Sequence, residues 1–148
     1  MGARNFRDYS VWNEAVDYAT YVYEVTSQMP WFEKKGLCDQ LQRAVVSISS
    51  NIAEGAARFS DADFAHFLDF ALGSAFEVET QLTIAKNVGY FKDLDVNNDL
   101  DVDDDLDVDD DLDVNGKGVV TYEVLMEKIH RIERQLNALI ISIRKDKP

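Results

Sequence analysis

The C-terminal segment constrains the fold most. Leu125, Ile129, Ile132, Leu136, Leu139 and Ile143 step by four, three, four, three and four residues. That spacing places them along one side of an α-helix, as in the seam of a helical bundle. Isolated helices are marginal in water, so the chain must supply other helices to cover the seam. Three further segments carry the same periodicity. The first, over 10–27, presents Trp12, Ala15, Val16, Ala19, Val22, Tyr23 and Thr26, with Ser10 expected as its N-cap and Pro30 barring its extension. The second, over 36–54, presents Leu37, Leu41, Ala44, Val45, Ile48 and Ile52, with Gly55 expected as its C-terminal stop.

The third helix is expected over 61–88. Phe64, Phe67, Leu68, Ala71, Ala75, Val78, Leu82 and Ala85 form its stripe. Asp61 and Asp63 lie in its first turn, where the helix dipole favours acids, and Gly89 ends it. At 1.5 Å per residue it is roughly 40 Å long. Gly73, Ser74 and Ala75 leave a notch of small residues where a neighbouring helix can approach closely. The fourth helix covers 122–144. Short loops between the first three helices make antiparallel neighbours. The expected fold class is therefore all-α: one domain over 1–148, built as an up-down antiparallel four-helix bundle.

Before the last helix, residues 93–116 hold four copies of a six-residue unit, starting at Asp93, Asp99, Asp105 and Asp111. Repeats so short and uniform are low-complexity sequence rather than packed solenoid layers. Asp alternates with Leu and Val there, which would put carboxylates on one face of a strand. Like charges two residues apart repel, however, so an extended loop is the expectation without a counterion. Calcium, which takes six to eight oxygens, is the natural counterion. Asp111, Asp113 and Asn115, followed by Gly116, match the opening of an EF-hand loop. The match ends at its twelfth position, which is Tyr122, with Glu123 one residue late. The insert also explains the net charge of −13. It holds 12 of the 28 acidic residues and no basic one, leaving 16 acidic against 15 basic residues. The folded body is nearly neutral, so global acidity names no partner for it.

Cys38 is the single cysteine, which excludes an intrachain disulfide and fits a reducing compartment. Met1 to Asp8 holds no apolar run, and no stretch reaches the roughly 18 apolar residues of a membrane span. A cytoplasmic protein without membrane contact is the expectation.

Several motifs together resemble a known family. They are Phe6-Arg7-Asp8-Tyr9-Ser10-Val11-Trp12, Gly36-Leu37 and Gln40-Leu41-Gln42-Arg43-Ala44. Most specific is Ser47-Ile48-Ser49-Ser50-Asn51-Ile52-Ala53-Glu54-Gly55, followed by Arg58, Phe64, Phe67 and Leu68. Gly73-Ser74-Ala75 with Glu77 and Glu79 completes the pattern. Over about residues 5–92 and the last helix, the chain resembles the bacterial four helix bundle proteins. That family includes proteins encoded in intervening sequences of 23S ribosomal RNA genes. The accessory variability protein of diversity-generating retroelements is a relative. The resemblance implies a bundle assembled as a ring-like homopentamer. For the retroelement relative it also implies binding to a reverse transcriptase and to nucleic acid through a basic surface. This chain departs from that relative in its neutral body and its Asp-rich insert.

The candidate chemistry is sparse. Ser47, Ser49, Ser50 and Asn51 interrupt an otherwise good helix; they form either cross-helix hydrogen bonds or a ligand contact. Glu54 and Arg58, four apart, can pair. Lys128, Arg131 and Arg134 share one side of the last helix, and with Arg144, Lys145 and Lys147 they outline a basic rim, either a solvated face or an RNA contact repeated by symmetry. Val124, Ile140 and Ile141 lie off the seam, as a wide core stripe or as a subunit interface. Glu127-x-x-His130 and Asp63-x-x-His66 have the spacing of carboxylate–histidine metal motifs. Glu123, Glu127, His130 and Arg134 are nevertheless expected to face solvent. Phosphate loops, nucleophile elbows and zinc spacings are absent from the sequence. The expected function is a non-enzymatic, homo-oligomeric scaffold without a cofactor, binding RNA or an RNA-associated protein such as a reverse transcriptase. The alternative is a bundle whose Asp-rich arm binds calcium or other divalent cations.

Overall fold

The computed structural model describes residues 3–92 and 122–145. It contains four α-helices: α1 (Ser10–Ser27), α2 (Leu37–Ala56), α3 (Asp61–Asn87) and α4 (Tyr122–Lys145). Single 3₁₀ turns at Phe6–Asp8 and Trp31–Glu33 precede α1 and α2, and no strand occurs among the described residues. The all-α expectation holds. The Asp-rich repeat at 93–116, with the candidate calcium ligands Asp111, Asp113 and Asn115, lies outside the described residues. No helix among the described residues is long and apolar enough to cross a membrane.

The helices pack in a closed cycle, α1 on α2, α2 on α3, α3 on α4 and α4 back on α1. Cross-helix bonds show the directions. Ser47 of α2 meets Ser74 of α3, and Thr83 of α3 meets Tyr122 of α4, each pair of hydroxyls 2.9 Å apart. Ser10 of α1 reaches Gln135, while Tyr18 reaches the Leu125 carbonyl, so α4 runs opposite to α1. The bundle is therefore up-down-up-down. Its core stacks Val22 and Val25, Leu41, Ile48 and Ile52, Phe64, Leu68 and Leu82, and the α4 seam residues Leu125, Ile129, Ile132 and Leu136.

Local chemistry explains both ends of α3. Ser60 caps α3, its hydroxyl accepting from the Asp63 amide at 3.0 Å. Gly89 ends α3 with φ +87°, a left-handed conformation that favours glycine. There Tyr90 N–H donates to the Ala85 carbonyl and Gly89 N–H to that of Lys86, the paired bonds of a Schellman stop.

Several expectations need correction. Tyr9, not Ser10, is the N-cap of α1. Ser10 is already helical, and its hydroxyl is used across the bundle on Gln135. The buried face of α1 keeps Ala15, Ala19, Val22 and Thr26 as expected but extends to the side of Val11, Tyr18, Tyr21 and Val25, whereas Tyr23 is exposed. Tyrosine resembles a rim residue in sequence, but Tyr18 enters the core because its hydroxyl donates to the Leu125 carbonyl there. Ile140 belongs to the core of the single chain, while Leu139 and Ile143 are only partly buried. A helix turns every 3.6 residues, so a 3.5-residue seam drifts off the contact line near its end.

Gly55 does not stop α2, which runs through to Ala56 rather than ending at residue 54. The glycine serves contact instead. A Cβ built there would lie 2.6 Å from Phe67 Cβ and 3.1 Å from Phe64 Cδ2. Phe67 Cβ is anchored to its own backbone, so it cannot swing aside. The N-terminal strap closes over this corner. Arg4 donates its backbone amide to the Ala56 carbonyl and its guanidinium to the Arg58 carbonyl, pairs with Asp61, and lies 4.7 Å from the Phe64 ring centre.

Gly55→Ala should therefore destabilise the fold. Alanine gains about 1 kcal/mol of helix propensity, and overpacking at Phe67 costs about 1–3 kcal/mol. Urea unfolding should show a lower midpoint for the variant, and an unchanged or higher midpoint would refute the close-packing role.

Candidate functional site

Ser47 and Asn51 of α2 are half-buried and bonded within the bundle, whereas Ser50 is exposed. Ser47 Oγ lies 2.9 Å from Ser74 Oγ. Asn51 Nδ2 donates to the Ser47 carbonyl at 2.8 Å and to Ser47 Oγ at 2.9 Å. Ser49 bonds back to the Val46 carbonyl. Glu54 and Arg58 approach to 3.8 Å, and the Arg58 guanidinium lies over the Phe67 ring. Of these contacts, Ser47–Ser74 and the stacking of Arg58 on Phe67 bridge α2 and α3, while the others stay within α2 and its C-terminal turn.

The basic residues of α4 are mostly paired with acids. Arg131 meets Glu14 of α1 at 3.3 Å, Arg134 meets Glu127 at 3.5 Å and Arg144 meets Asp69 of α3. Lys128 is half-buried and Lys145 is exposed. Lys147 lies outside the described residues, and of the five described cations of the expected rim, three sit beside carboxylates. Cys38 is buried, its thiol against the Thr26 carbonyl and Met29 Sδ, and burial raises its pKa. A thiol held neutral is a poor nucleophile. Asp63 and His66 do not form a metal pair with a third ligand: Asp63 sits in the capped first turn, and His66 is exposed with its ring against Phe70.

A different group of side chains converges instead. Glu79 of α3 meets His130 and Glu133 of α4, and one potential ligand atom from each lies within 4.8 Å of the other two. His130 Nε2 is 2.6 Å from Glu79 Oε1. Glu123, Glu127 and Arg134 are exposed as expected, but His130 turns toward α3. Glu133 is only 8% exposed, and its Oε1 has no hydrogen-bond partner among the described residues. Gln81 Oε1 is the other buried side-chain oxygen in that condition. Neither Glu79 nor Glu133 emerged from sequence as a site residue. A signal was present: Glu133 lies four residues after Ile129 and three before Leu136, and Glu79 lies four after Ala75 and three before Leu82. An acid at such a position flanks the core and requires a partner.

The two carboxyls are driven apart in acidity. Burial pushes Glu133 up to about 8, and the hydrogen bond and charge of Glu79 push the same way against the opposing pull of Arg134. Glu79 moves down, chiefly through the hydrogen bond from Glu133 and then through His130. The pair thus holds one proton, placed on Glu133, as expected where two carboxylates share a site. Tyr18 of α1 feels both acids, which add to the burial that raises its own hydroxyl.

The sign of the pH dependence follows. Glu133 contributes stability in full below its ordinary value of 4.5 and loses it as pH rises through about 8. Glu79 contributes in the opposite sense and loses stability as acid protonates it. Glu133→Gln keeps the donor to Glu79 and cannot ionise. Urea unfolding in excess EDTA should show the wild type weakening from about pH 6 to about pH 9, and the variant weakening less, ending more stable by about 1–3 kcal/mol. Parallel curves would remove the protonated assignment of Glu133.

Phe70, Phe76 and Ile84 of α3, with Val88 at its C-cap, face solvent, each about half exposed. At 100° per residue they fall within an arc of about 120°. Gly73 lies on the same arc, and a Cβ there would meet nothing within 4 Å. The Ser74 and Ala75 side of the expected notch is covered within the bundle, whereas the Gly73 side is open.

Comparisons with known proteins agree with this architecture. Among solved structures, the chain resembles the crystal structure of a protein of unknown function from the S23 ribosomal protein family of Bacteroides thetaiotaomicron VPI-5482. The TM-score is 0.62 at 21% identity, over 88% of this chain and 97% of that one. At that identity the likeness speaks for the fold alone. No curated protein matches the chain. The sequence profile of the family described as "23S rRNA-intervening sequence protein" matches residues 7–101. That match spans α1 to α3, including the Ser47–Gly55 stretch and the close α2–α3 corner, and the chain belongs to the 23S rRNA-intervening sequence protein family.

Proposed function

We propose that this protein is a non-enzymatic scaffold that self-associates through the outer face of α3 and presents RNA, or an RNA-associated protein, with a repeated surface. The observation that carries the reading is the set of half-exposed apolar side chains Phe70, Phe76, Ile84 and Val88 around the open Gly73. Each leaves apolar area in water that a second copy can cover, worth about 25 cal/mol per Å² buried. Contiguous apolar patches on otherwise polar surfaces mark interaction sites. A homopentamer is the assembly the family resemblance implies. Val124 and Ile141 of α4 remain as the off-seam residues a neighbouring copy can use, since Ile140 is in the core.

The RNA part of the reading rests on repetition. With Arg131, Arg134 and Arg144 beside carboxylates, the described part of the α4 rim offers phosphate chiefly Lys128 and Lys145. A ring multiplies a weak contact by its number of copies. The affinity should then depend steeply on salt and on assembly.

Light scattering after size-exclusion chromatography tests the scaffold. The wild type should elute as an oligomer. Phe70→Glu combined with Ile84→Glu should give a folded monomer, because both positions are solvent-exposed in the single chain. RNA binding, followed by fluorescence anisotropy at two salt concentrations, should fall with the loss of assembly. A monomeric wild type would remove the scaffold reading.

A further inference from the structure

We propose that Glu79, His130 and Glu133 form a binding site for one divalent transition-metal ion of the zinc type, which pins α4 to α3. Nothing in the family description or in the structural relative assigns such a site, and the proposal does not depend on self-association or RNA binding.

The donors come from two helices whose register is set independently of them. Thr83 bonds to Tyr122 on one side of the trio, and Arg144 pairs with Asp69 on the other. His130 and Glu133 are three apart on α4, which places both on one helix face toward Glu79. Their ligand atoms lie within 4.8 Å of one another. A tetrahedral zinc ion with bonds of about 2.1 Å separates its ligands by about 3.4 Å. Glu79 and His130, now 2.6 Å apart, need to open slightly while Glu133 draws in, and rotamer adjustment on fixed helices suffices.

A second observation points to a ligand. Glu133 is more than nine-tenths buried, and its Oε1 has no partner among the described residues. A buried carboxylate oxygen is costly unless something positive or a donor meets it. Neither Tyr18 nor Arg134 meets that oxygen: Tyr18 gives its hydroxyl to the Leu125 carbonyl, and Arg134, whose charge acts on Glu133 from a distance, donates to Glu127. A cation between Glu133, Glu79 and His130 would satisfy all three.

The donor set selects the ion class. One imidazole nitrogen and two carboxylates, with water as a fourth ligand, suit zinc or a neighbouring first-row ion. Calcium prefers six to eight oxygens and gains little from imidazole. The consequence is structural. α4 follows a long segment after α3, and a metal bond between the two helices closes that loop in the native state.

The test uses the full chain, titrated with Co²⁺ and with Zn²⁺. One equivalent of Co²⁺ should develop the visible d–d bands of a tetrahedral site, and Zn²⁺ should abolish them. Glu133→Gln and His130→Gln should each weaken that binding by about tenfold or more. Circular dichroism in EDTA establishes that the variants are folded. Should either variant fail to fold, imidazole NMR of the wild type decides, since the chain has only two histidines. Zinc should shift the His130 ring signals and leave those of His66 in place. Metal held by the Asp-rich repeat alone leaves both histidines unmoved, and that result overturns the proposal. Equal affinities and spectra in folded variants overturn it as well.

Discussion

Close contact between α2 and α3 is the constraint on which the rest of the bundle depends. Gly55 lets the Phe64 and Phe67 turn of α3 press against the backbone of α2. About two turns toward the other end of that interface, Ser47 and Ser74 join the helices by hydroxyls, with Asn51 tying Ser47 to its own helix. Small and polar residues therefore set the approach of the two helices, while large aliphatics fill the remaining space. The strap around Arg4 closes over the same corner and ties the N-terminus to the α2–α3 turn. α1 and α4 are then received by a pair whose spacing is already defined.

α4 is attached differently. Its apolar seam supplies the hydrophobic contact, but its flanks carry polar links to two helices, through Gln135 and Arg131 to α1 and through His130 and Arg144 to α3. Most of these are exposed ion pairs, which individually contribute little. Glu133 is the exception, because it is buried beside Glu79 and must hold a proton or meet a cation. The apolar outer face of α3 and this acidic seam lie on the same helix but serve separate purposes. One leaves large apolar side chains in solvent, and the other links α4 to α3.

Much of this was legible in the residues themselves. The four-and-three spacing from Leu125 to Leu136 marked a helix and its core face, because burial and helical geometry impose the same period. Ser60 and Gly89 marked the ends of α3 through local chemistry that acts within a few residues. The misreadings share one cause. Ser10 suits an N-cap and Gly55 suits a helix stop, yet each is used by a partner distant in sequence, Gln135 for the first and Phe67 for the second. The burial of Tyr18 is likewise non-local: its hydroxyl donates to a carbonyl 107 residues away.

By itself the sequence determined the number and bounds of the helices to within a residue or two, the all-α class, the antiparallel order of the first three helices and the family. These follow from periodicity, capping and short loops, which are local properties of the chain. Only the tertiary structure decided how far round α1 the buried face extends, why Gly55 is a glycine, that three arginines of α4 sit beside acids, and that Glu79, His130 and Glu133 meet. Each of those depends on the rotation and separation of two packed helices. Periodicity leaves that rotation open by about one position, and one position turns a side chain by 100°, enough to exchange core for solvent.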